Sequence, residues 1–443
     1  MFTSGFYKNA PISIQNLLIS GRSFARKSLR ENKRASEIYE SLYVLEKDEK
    51  KVNSYRKKKL DSVLKTAVRN VPFYRSLDGV DFNKFPLLSK NDIKDNPRSF
   101  INESIKGVVV RGCTSGTTGT PLSIPQNMDS VIIEQAFISR SLQWAGFKPG
   151  DKRAWIRGDM IVPLSQKKQP FWRYSYFEDM ILLSSFHMTT ENLPLYLQAM
   201  VDYGVDVIQA YPSSIVTLAK YLDVKNEYYQ GKLKSIMTSS ESLSSDDKKL
   251  IEKRFKCTVF DWYGLFERVA AIASCEYGRY HILTDYSHVE LLDAGDGKHE
   301  IVGTNFNNSL YSLIRYKTGD HVVLSDDESC PCCRVFPLID HIEGRVGDYL
   351  IGEDGQRIHI LNHIPKGVRG LIACQFVQKS LTYIQILAVV EDKLFTAEQK
   401  ALLIANTKER VGKSIDVDIG IVTQLPRTKN GKVRQAVREI EGL

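Results

Sequence analysis

The segment with the clearest chemical character is a run of hydroxyl side chains and glycines that follows a strand-like stretch. Its sequence is Cys113-Thr-Ser-Gly-Thr-Thr-Gly-Thr-Pro121, directly after Val108–Val110. Hydroxyl donors, and glycines that allow close backbone approach, are what a polyphosphate requires. The lysine of a G-x-x-x-x-G-K-[ST] loop is missing, so this is not a Walker A loop. Taken alone, the run could also be a plain Ser/Thr/Gly surface loop.

Four further segments follow in a set order along the chain. They are Asp261-Trp-Tyr-Gly-Leu-Phe-Glu267, Tyr316-Lys-Thr-Gly-Asp320, Gly344-Arg-Val-Gly-Asp348 and Leu425-Pro-Arg-Thr-Lys-Asn-Gly-Lys432-Val-Arg434. Each is weak alone, but agreement of five segments in one order by chance is negligible. Together they resemble the core motifs of the adenylate-forming superfamily, which includes acyl and aryl CoA ligases, luciferases and peptide-synthetase adenylation domains.

Finer features resemble one branch of that superfamily. Val71-Pro-Phe-Tyr-Arg75, Phe85-Pro-Leu-Leu-Ser-Lys90, Glu267-Arg268-Val269 and Cys275-Glu276 are similar to the phenylacetate–CoA ligase group. The similarity is greatest to its CapK-like members, which are linked to capsular polysaccharide synthesis. It covers roughly residues 60–440, so it implies the fold as well as the site.

The resemblance implies a two-step reaction. A carboxylate attacks the α-phosphorus of ATP to give an acyl-adenylate and pyrophosphate, and an acceptor nucleophile then displaces AMP. Negative charge concentrates at phosphorus in the transition state, so a fixed cation is needed there. By motif position that cation is Lys432, carried by a small mobile domain.

The remaining roles are also implied by motif position. Glu267 is expected to hold Mg²⁺, for which a carboxylate with phosphate oxygens is the usual coordination. Asp320 and Arg345 are expected at the ribose hydroxyls. The expected nucleotide-binding residues are Thr114, Ser115, Gly116, Thr117, Thr118 and Gly119 at the phosphates, and Ser240, Glu241, Asp261 and Tyr263 around the adenine.

Three departures from the motifs bear on the acceptor. Phe266 stands where a Thr or Ser is usual, and Gly347 stands at the usual hinge carboxylate, which leaves Asp348 as the acid there. The segment Leu350–Ile358 lacks the glycine-rich pattern through which CoA-using relatives pass pantetheine. These departures leave the acceptor open between a thiol such as CoA and an amine, which could belong to an amino sugar.

Cysteine and histidine spacing indicates a metal site. Cys275, His281, Cys330 and Cys332 are four ligands of the number and type that structural zinc takes. The spacing alone leaves open that these are buried free cysteines and a surface histidine. Some phenylacetate–CoA ligase relatives have a similar Cys…His…Cys-x-Cys zinc site, which favours a closed structural Zn²⁺. Cys333 could exchange with Cys332 as a ligand.

A cluster of aromatic and hydroxyl residues occupies the region that lines the acyl pocket in relatives. Its members are Trp155, Phe186, His187, Tyr211, Pro212, Ser213 and Ser214. For any single member, core packing is the favoured interpretation. His187 is the exception, because relatives often place an aromatic or His residue near the carboxylate at this position, and it is therefore a candidate catalytic residue.

The elements that must position these residues are indicated by composition and periodicity. Residues 1–70 hold 16 Lys and Arg against 7 Asp and Glu, so this segment carries the whole net charge of +9 and the other residues are neutral. Apolar positions at helical spacing predict that this front end is helical. From about residue 106, short β-rich runs alternate with helix-like stretches, which indicates an α/β body.

The chain length of 443 residues allows two to four domains. We expect a basic helical extension over residues 1–70, a large adenylate-forming domain over 71–345 with helix-flanked sheets, and a small α+β domain over 346–443. Strand-like runs after Asp285 include Leu310–Tyr316. The boundary is placed at Gly344–Asp348, where the glycines permit a hinge.

Charge and cysteine usage limit the partners and the compartment. Cysteines spaced as metal ligands, and the lack of a convincing signal peptide or of a run of about 20 apolar residues, favour a cytoplasmic protein. The basic front end could contact an anionic membrane face or an acidic partner, or be a solvated helical extension. A different class of function, a zinc-containing nucleic-acid binder on a degenerate ligase fold, is disfavoured because residues 71–443 are neutral.

Overall fold

The helices account for the front end of the chain and recur through the body. The structure is a computed structural model that describes residues 1–77, 79–113, 122–345, 348–358 and 361–440. The α-helices in these residues are α1 (Gly5–Asn9), α2 (Ile12–Arg30), α3 (Lys33–Leu45), α4 (Glu49–Asn70), α5 (Lys90–Asp95), α6 (Met128–Trp144), α7 (Leu193–Tyr203), α8 (Pro212–Val224), α9 (Ser245–Phe255) and α10 (Ala397–Val411). The helical front end predicted from periodicity is thus present as α1 to α4.

The strands lie mostly beyond residue 108. In the described residues they are β1 (Val109–Cys113), β2 (Ser123–Asn127), β3 (Arg153–Ile156), β4 (Trp172–Ser175), β5 (Met180–Leu183), β6 (Val207–Ala210), β7 (Ser235–Ser239), β8 (Thr258–Gly264), β9 (Ala271–Ser274), β10 (Tyr280–Ile282), β11 (Ser287–Asp293), β12 (Lys298–Asn305), β13 (Tyr316–Leu324), β14 (Leu338–Arg345), β15 (Leu350–Ile351), β16 (Arg357–Ile358), β17 (Leu371–Ser380), β18 (Tyr383–Val390), β19 (Asp416–Ile421) and β20 (Ala436–Arg438). Short 3₁₀ turns occur at Pro72–Tyr74, Phe82–Lys84, Ser185–His187 and Leu361–His363.

The chain divides into two compact units. Unit 1 comprises Met1–Ser23, Pro149–Val259 and Val346–Leu443, and unit 2 comprises Phe24–Lys148 and Phe260–Arg345. The small domain predicted for residues 346–443 falls within unit 1. The predicted domain boundaries at residues 70 and 345 remain a prediction.

Unit 1 contains a mainly parallel sheet. β5, β3, β6 and β7 run side by side in parallel, and β4 pairs with β5 in the antiparallel sense. β5 and β6 are buried at every position, as expected for parallel strands covered on both faces. α7, which precedes β6, ends at Gly204, whose φ of +73° gives the left-handed helix cap that glycine favours.

The C-terminal part of unit 1 has a smaller mixed sheet. Its strand order is β19-β18-β17-β20, in which β17 and β18 are antiparallel and both outer pairs are parallel. α10 begins at the capping residue Thr396, whose hydroxyl accepts the backbone N–H of Gln399. Leu403 and Val411 of this helix pack with Ile384 and Ile386 of β18 in one apolar cluster.

Unit 2 is built on antiparallel pairs. β11, β12, β13, β14, β10, β9 and β8 follow one another, each antiparallel to the next. β1 and β2 form a separate antiparallel hairpin. α4 belongs to the core of this unit, because Leu64 and Ala67 pack with Tyr74, Phe100 and Tyr311.

A buried charge network ties α3 to the body of unit 2. Arg140 of α6, fully buried, forms a bidentate ion pair with Asp285 at 2.5 and 3.1 Å. Glu46, at the end of α3, accepts a hydrogen bond from Trp144 Nε1 at 2.9 Å and lies 3.9 Å from Arg140. The basic front end therefore contributes packing and charge to unit 2, in addition to its exposed cations.

One strand prediction is wrong. Leu310–Tyr316 was expected to be a strand, but β13 begins only at Tyr316. Arg315 has a φ of +54°, which breaks an extended run. The Tyr74 hydroxyl donates to Ser312 O and accepts from Ile314 N, each at 3.2 Å, so backbone groups that a ladder would use are satisfied by a side chain.

Candidate active site and candidate metal centre

The candidate site of unit 1 lies at the carboxyl ends of its parallel strands. Tyr211 follows β6, and Ser240 and Glu241 follow β7. Ligands of open α/β sheets bind outside the carboxyl ends of the strands. Ser240 has a φ of +70°, a left-handed conformation that is uncommon for a residue other than glycine and is often found at functional sites.

Lys432 is brought to this edge of the sheet. Its Nζ donates a hydrogen bond to the backbone oxygen of Ser240 at 2.6 Å and lies 5.9 Å from the centroid of the Tyr211 ring. A tight turn carries the lysine, because Thr428 N donates to Lys432 O at 2.9 Å and Lys432 N donates to Thr428 Oγ1 at 3.2 Å. The predicted cation and one predicted adenine-flanking residue are therefore in direct contact.

Two glycines allow the lysine turn to approach the loop that follows β3. A Cβ on Gly431, whose φ is +74°, would lie 2.4 Å from the Cα of Gly158, and a Cβ on Gly158 would lie 1.7 Å from Asn430 O. Neither distance is physically possible without a shift of backbone. The pairing of two residues without side chains is what permits this contact.

Glu241 fastens two segments with its carboxylate. One oxygen accepts the backbone N–H of Ser213 at 2.8 Å and the other accepts the backbone N–H of Val433 at 3.3 Å. Charge-assisted hydrogen bonds of this kind are stronger than neutral ones. The sequence placed Glu241 near adenine, whereas these contacts give it a further role in holding the residue next to Lys432.

His187 lies in the 3₁₀ turn after β5 and is buried. Its Nδ1 is 2.8 Å from Ser184 Oγ, and its ring stacks on Phe171 with centroids 5.0 Å apart. Burial lowers the pKa of His187, so the neutral imidazole is favoured. This hydrogen bond joins it to its own turn, and its predicted place beside the substrate carboxylate stays a prediction.

In unit 2, Asp320 is held by its own strand and by a tyrosine. Tyr263 OH donates to Asp320 Oδ2 at 2.8 Å, and Thr318 Oγ1 accepts the Asp320 N–H at 3.0 Å. Arg345 lies opposite Asp320 in the β13–β14 ladder. The predicted ribose pair is thus in register on neighbouring strands, and Tyr263, predicted near adenine, contacts the first of them.

The other predicted residues of unit 2 are buried around β8. Asp261 Oδ2 accepts from Tyr280 OH at 3.2 Å, and its backbone N–H donates to Ser274 Oγ at 2.7 Å. Glu267 is 3% exposed, and Tyr316 OH approaches its carboxylate at 3.5 Å. The Glu267 carboxylate has the chemical type of a cation ligand, since carboxylate oxygens are what Mg²⁺ prefers.

Phe266 packs against Gly112, which precedes the predicted phosphate segment in the chain. A Cβ on Gly112 would lie 2.2 Å from Phe266 Cζ, so a larger residue at position 112 would have to displace this ring. The predicted phosphate-binding residues Thr114 to Gly119 lie outside the described residues. The strands on either side of them, β1 and β2, pair with Cys113 opposite Ser123.

The four predicted metal ligands converge in unit 2. The ligand atoms of Cys275, His281, Cys330 and Cys332 all lie within 4.8 Å of one another, and all four residues are buried. Cys275 Sγ is 3.6 Å from Cys330 Sγ, and Cys332 Sγ is 3.4 Å from His281 Nε2. Ligands about 2.0–2.3 Å from a tetrahedral zinc would have separations of this size, so the donor set fits that ion.

Surrounding groups orient these ligands. His281 Nδ1 lies 3.3 Å from Phe336 O, which leaves Nε2 directed at the cysteines. The backbone N–H of Arg334 donates to Cys332 Sγ at 3.5 Å. Cys333 is exposed and donates instead to Pro331 O, so Cys332 rather than Cys333 belongs to the cluster.

Sequence reasoning missed two cations of unit 1. Arg157 donates to Ser240 Oγ at 2.7 Å, and Arg427 donates to Gly431 O at 2.7 Å. Arg427 lies in the same motif segment as Lys432, and this position could have indicated that it belongs to the site. Arg157 follows β3, a strand that was not predicted, and no local pattern distinguishes it from a surface arginine.

The chain is similar to two characterised types of protein. Residues 350–439 match the family model described as CapK C-terminal domain. Over 446 residues the chain is 25% identical to Protein CapK of Staphylococcus aureus, an alignment that covers 98% of this chain and 99% of that protein. It is also 25% identical over 313 residues to phenylacetate-coenzyme A ligase of Pseudomonas putida, covering 65% of this chain and 69% of that enzyme.

Solved structures share the fold. A crystal structure of 2-hydroxyisobutyryl-CoA ligase in the postadenylation state, in complex with 2-HIB-AMP, is similar with a TM-score of 0.63 and 16% identity. The similarity covers 86% of this chain and 88% of that one. The predicted resemblance to the CapK-like and phenylacetate–CoA ligase branch is confirmed, as are the α/β fold class with a small C-terminal domain and the prediction of an adenylate-forming ligase.

Proposed function

We propose that this chain, with the fold and motifs of adenylate-forming ligases, uses ATP to activate a carboxylic acid as its acyl-adenylate. The observation that supports this most strongly is the contact of Lys432 with Ser240, because it joins the expected catalytic cation to a segment expected at the nucleotide. An ammonium group fixed by a hydrogen bond and a tight turn is pre-organised to stabilise charge that develops at phosphorus.

In the proposed first step, a carboxylate oxygen of the acid forms a bond to the α-phosphorus. The bond from the α-phosphorus to the bridging oxygen breaks, and pyrophosphate leaves. Lys432 offsets negative charge on the carboxylate and the phosphoryl oxygens. Glu241 keeps the lysine turn in place through its hydrogen bond to Val433 N, and His187 is proposed to face the acid.

The proposed nucleotide contacts in unit 2 use the residues described there. Asp320, held by Tyr263, accepts from a ribose hydroxyl, and Arg345 donates to the ribose. Glu267 would hold Mg²⁺, which would supply positive charge to offset the charge of the phosphates. Asp261 and Tyr263 would flank the base, and Thr114 to Gly119 would bind the β- and γ-phosphates.

In the second step the acceptor attacks the acyl carbon, loses its proton, and displaces AMP. The acceptor is a thiol such as CoA or an amine such as that of an amino sugar. Similarity to CapK along nearly the whole chain supports a place in surface or capsular polysaccharide biosynthesis. Incubation of the acyl-adenylate with CoA or with an amino sugar separates the alternatives, since one yields a thioester and the other an amide.

The Cys/His cluster is proposed to hold a structural Zn²⁺. Cys275, His281, Cys330 and Cys332 would fill all four positions of a tetrahedral site, which leaves none for substrate. The ion would therefore link β10 to the segments that carry the cysteines. The fit of the donor atoms and the orientation of His281 by Phe336 O support this assignment.

The N-terminal helices are proposed to contact an anionic lipid surface. The N-terminal apolar surface, formed by Phe6, Ile14 and Leu17, exposes 71%, 41% and 67% of these side chains and borders an open groove of about 420 Å³. Residues 1–30 contain five Lys or Arg residues and no Asp or Glu. Exposed apolar side chains with flanking cations are typical of helices that lie in a membrane interface. In the described residues no helix is long and apolar enough to cross a bilayer.

The activation step can be tested by direct detection of its product. The protein is mixed with ATP, Mg²⁺ and a panel of aryl, acyl and amino acids, and quenched reactions are analysed by mass spectrometry. We expect an acyl-adenylate with at least one acid. Failure to form any adenylate across the panel would contradict the proposal.

A further inference from the structure

A second cation lies beside Lys432 at the carboxyl ends of the parallel strands. Arg157 directly follows β3, whose neighbours in the sheet are β5 and β6. Its Nη2 donates to Ser240 Oγ at 2.7 Å, while Lys432 donates to the backbone oxygen of the same residue. Two positive charges therefore converge on a single serine.

The same two cations share an aromatic ring. The Arg157 guanidinium lies 4.9 Å from the centroid of Tyr211, and the Lys432 ammonium lies 5.9 Å from it. The Arg157 guanidinium also lies 4.9 Å from the centroid of the Trp155 ring. Next to these residues, Gly158 and Gly431 touch through their backbones, so the turns that carry the two cations are packed against each other. The arrangement places two positive charges at the same strand ends, where their summed field attracts an anionic ligand.

Two neighbouring carboxylates accept hydrogen bonds from groups other than Arg157. Asp159 accepts from Trp155 Nε1 at 2.7 Å, and both oxygens of Glu241 accept backbone N–H groups. In the part of the chain that the structure describes, the half-buried Arg157 forms no ion pair, and its buried Nε has no hydrogen-bond partner. A guanidinium offers five N–H donors in a planar fork that matches a carboxylate, so its natural complement here is an anionic group of a ligand.

We propose that Arg157 binds a second acidic group of the substrate, and that the acid which this protein activates is therefore a dicarboxylic acid. This inference rests on the proposed adenylating function. Lys432 acts on the carboxylate that is activated, and Arg157 holds the other carboxylate, which does not react. Because a monocarboxylic acid would leave Arg157 without an anionic partner, the site discriminates against it.

The inference can be tested with matched acids in ATP–pyrophosphate exchange. Succinate, glutarate and phthalate are compared with butyrate, valerate and benzoate, on the wild type and on the variants Arg157→Gln and Arg157→Lys. Lys167→Gln removes an exposed cation of unit 1 as the control. For the diacids we expect Arg157→Gln to raise KM about 10-fold or more with a smaller effect on kcat, because the cation that pairs with the carboxylate that does not react is lost. Arg157→Lys should restore part of the affinity, and the control should behave like wild type.

The possible outcomes are distinct. Preference of the wild type for monoacids, or an equal loss for monoacids and diacids in Arg157→Gln, would overturn the inference, because the arginine would then act on the reacting carboxylate or on the nucleotide. Should no acid support exchange in the wild type, the proposed adenylating function itself fails. If thermal unfolding shows that Arg157→Gln does not fold, Arg157→Lys is used in its place. We then expect its KM to rise for diacids and not for monoacids.

Discussion

The ammonium group of Lys432 lies 2.6 Å from the backbone oxygen of Ser240, although the two residues are 192 positions apart in the chain. The contact brings a residue of the turn before β20 to the residue that follows β7. This hydrogen bond orients the ammonium group through an acceptor that carries no net charge. Glu241, the next residue, reinforces the arrangement through Val433.

Loss of the Glu241 carboxylate is expected to loosen the lysine turn. Glu241→Ala removes two charge-assisted hydrogen bonds to backbone N–H groups, so we expect a drop in the adenylation rate of about 10- to 100-fold. Glu241→Gln keeps one strong acceptor and should fall between this variant and the wild type. The readout is single-turnover formation of acyl-adenylate. Full activity in Glu241→Ala would show that the hydrogen bonds of Glu241 to Ser213 and Val433 are not needed for adenylation.

The Cys/His cluster predicts one zinc ion per chain. Protein purified under reducing conditions without chelator should contain about one equivalent of zinc by elemental analysis, and Cys330→Ser should lose most of it. Cys333→Ser is the matched control, because Cys333 is exposed and outside the cluster. We expect Cys330→Ser to unfold at a lower temperature, since metal binding contributes to folding. Retention of a full equivalent in Cys330→Ser would contradict the ligand assignment.

Glu46 predicts a specific dependence of stability on pH. Burial raises the pKa of its carboxyl group, and the nearby charges of Arg140 and Arg334 offset this only in part. A carboxyl group whose pKa is higher in the folded state than in the unfolded state stabilises the folded protein when it is protonated. This stabilisation is complete below the pKa of the unfolded state, about 4.3, and is lost as the pH rises through the pKa of the folded state.

The wild type should therefore lose stability relative to Glu46→Gln as the pH is raised from 4 to 8, as measured by urea unfolding. Glu37→Gln, at an exposed position of the same helix, controls for the removal of one carboxylate. A wild type that gains stability over Glu46→Gln with rising pH would show the opposite sign and contradict the account.

The N-terminal apolar surface predicts binding to anionic vesicles. Co-sedimentation with vesicles that contain phosphatidylglycerol should exceed that with phosphatidylcholine alone, and added salt should weaken it. The double variant Phe6→Ser, Leu17→Ser should bind at least 10-fold less, because burial of each large apolar side chain contributes about 1.5–3 kcal/mol. Leu381→Ser, at another exposed leucine, should bind like the wild type. Binding of the double variant at the wild-type level would exclude this surface as the vesicle-binding site.

The sequence was most informative where the candidate site residues lie in short contiguous motifs. Lys432, Asp320 and the four residues of the Cys/His cluster could be proposed as site residues because each stands in a local pattern with a chemical meaning. Helices such as α9 and α10 could be predicted because apolar spacing and capping residues are local as well. The role of Glu241 in fastening Val433 could not be predicted, since it depends on a contact across 192 positions.

Arg157 illustrates the same limit. Nothing adjacent to it in the chain indicates that Ser240 and Tyr211 surround it, because these residues follow different strands and meet only in the folded sheet. The false strand at Leu310–Tyr316 has a related cause. Its apolar pattern is that of a strand, but the hydroxyl of Tyr74, distant in sequence, satisfies its backbone groups.

The most direct test of the account is acid-dependent ATP–pyrophosphate exchange in a pair of lysine variants. Lys432→Ala removes the cation expected at the α-phosphate, and Lys429→Ala removes an exposed lysine from the same turn. With an acid that forms an adenylate, we predict that Lys432→Ala slows exchange by about two orders of magnitude or more, whereas Lys429→Ala exchanges at nearly the wild-type rate. Exchange in Lys432→Ala at the wild-type rate would contradict the central claim.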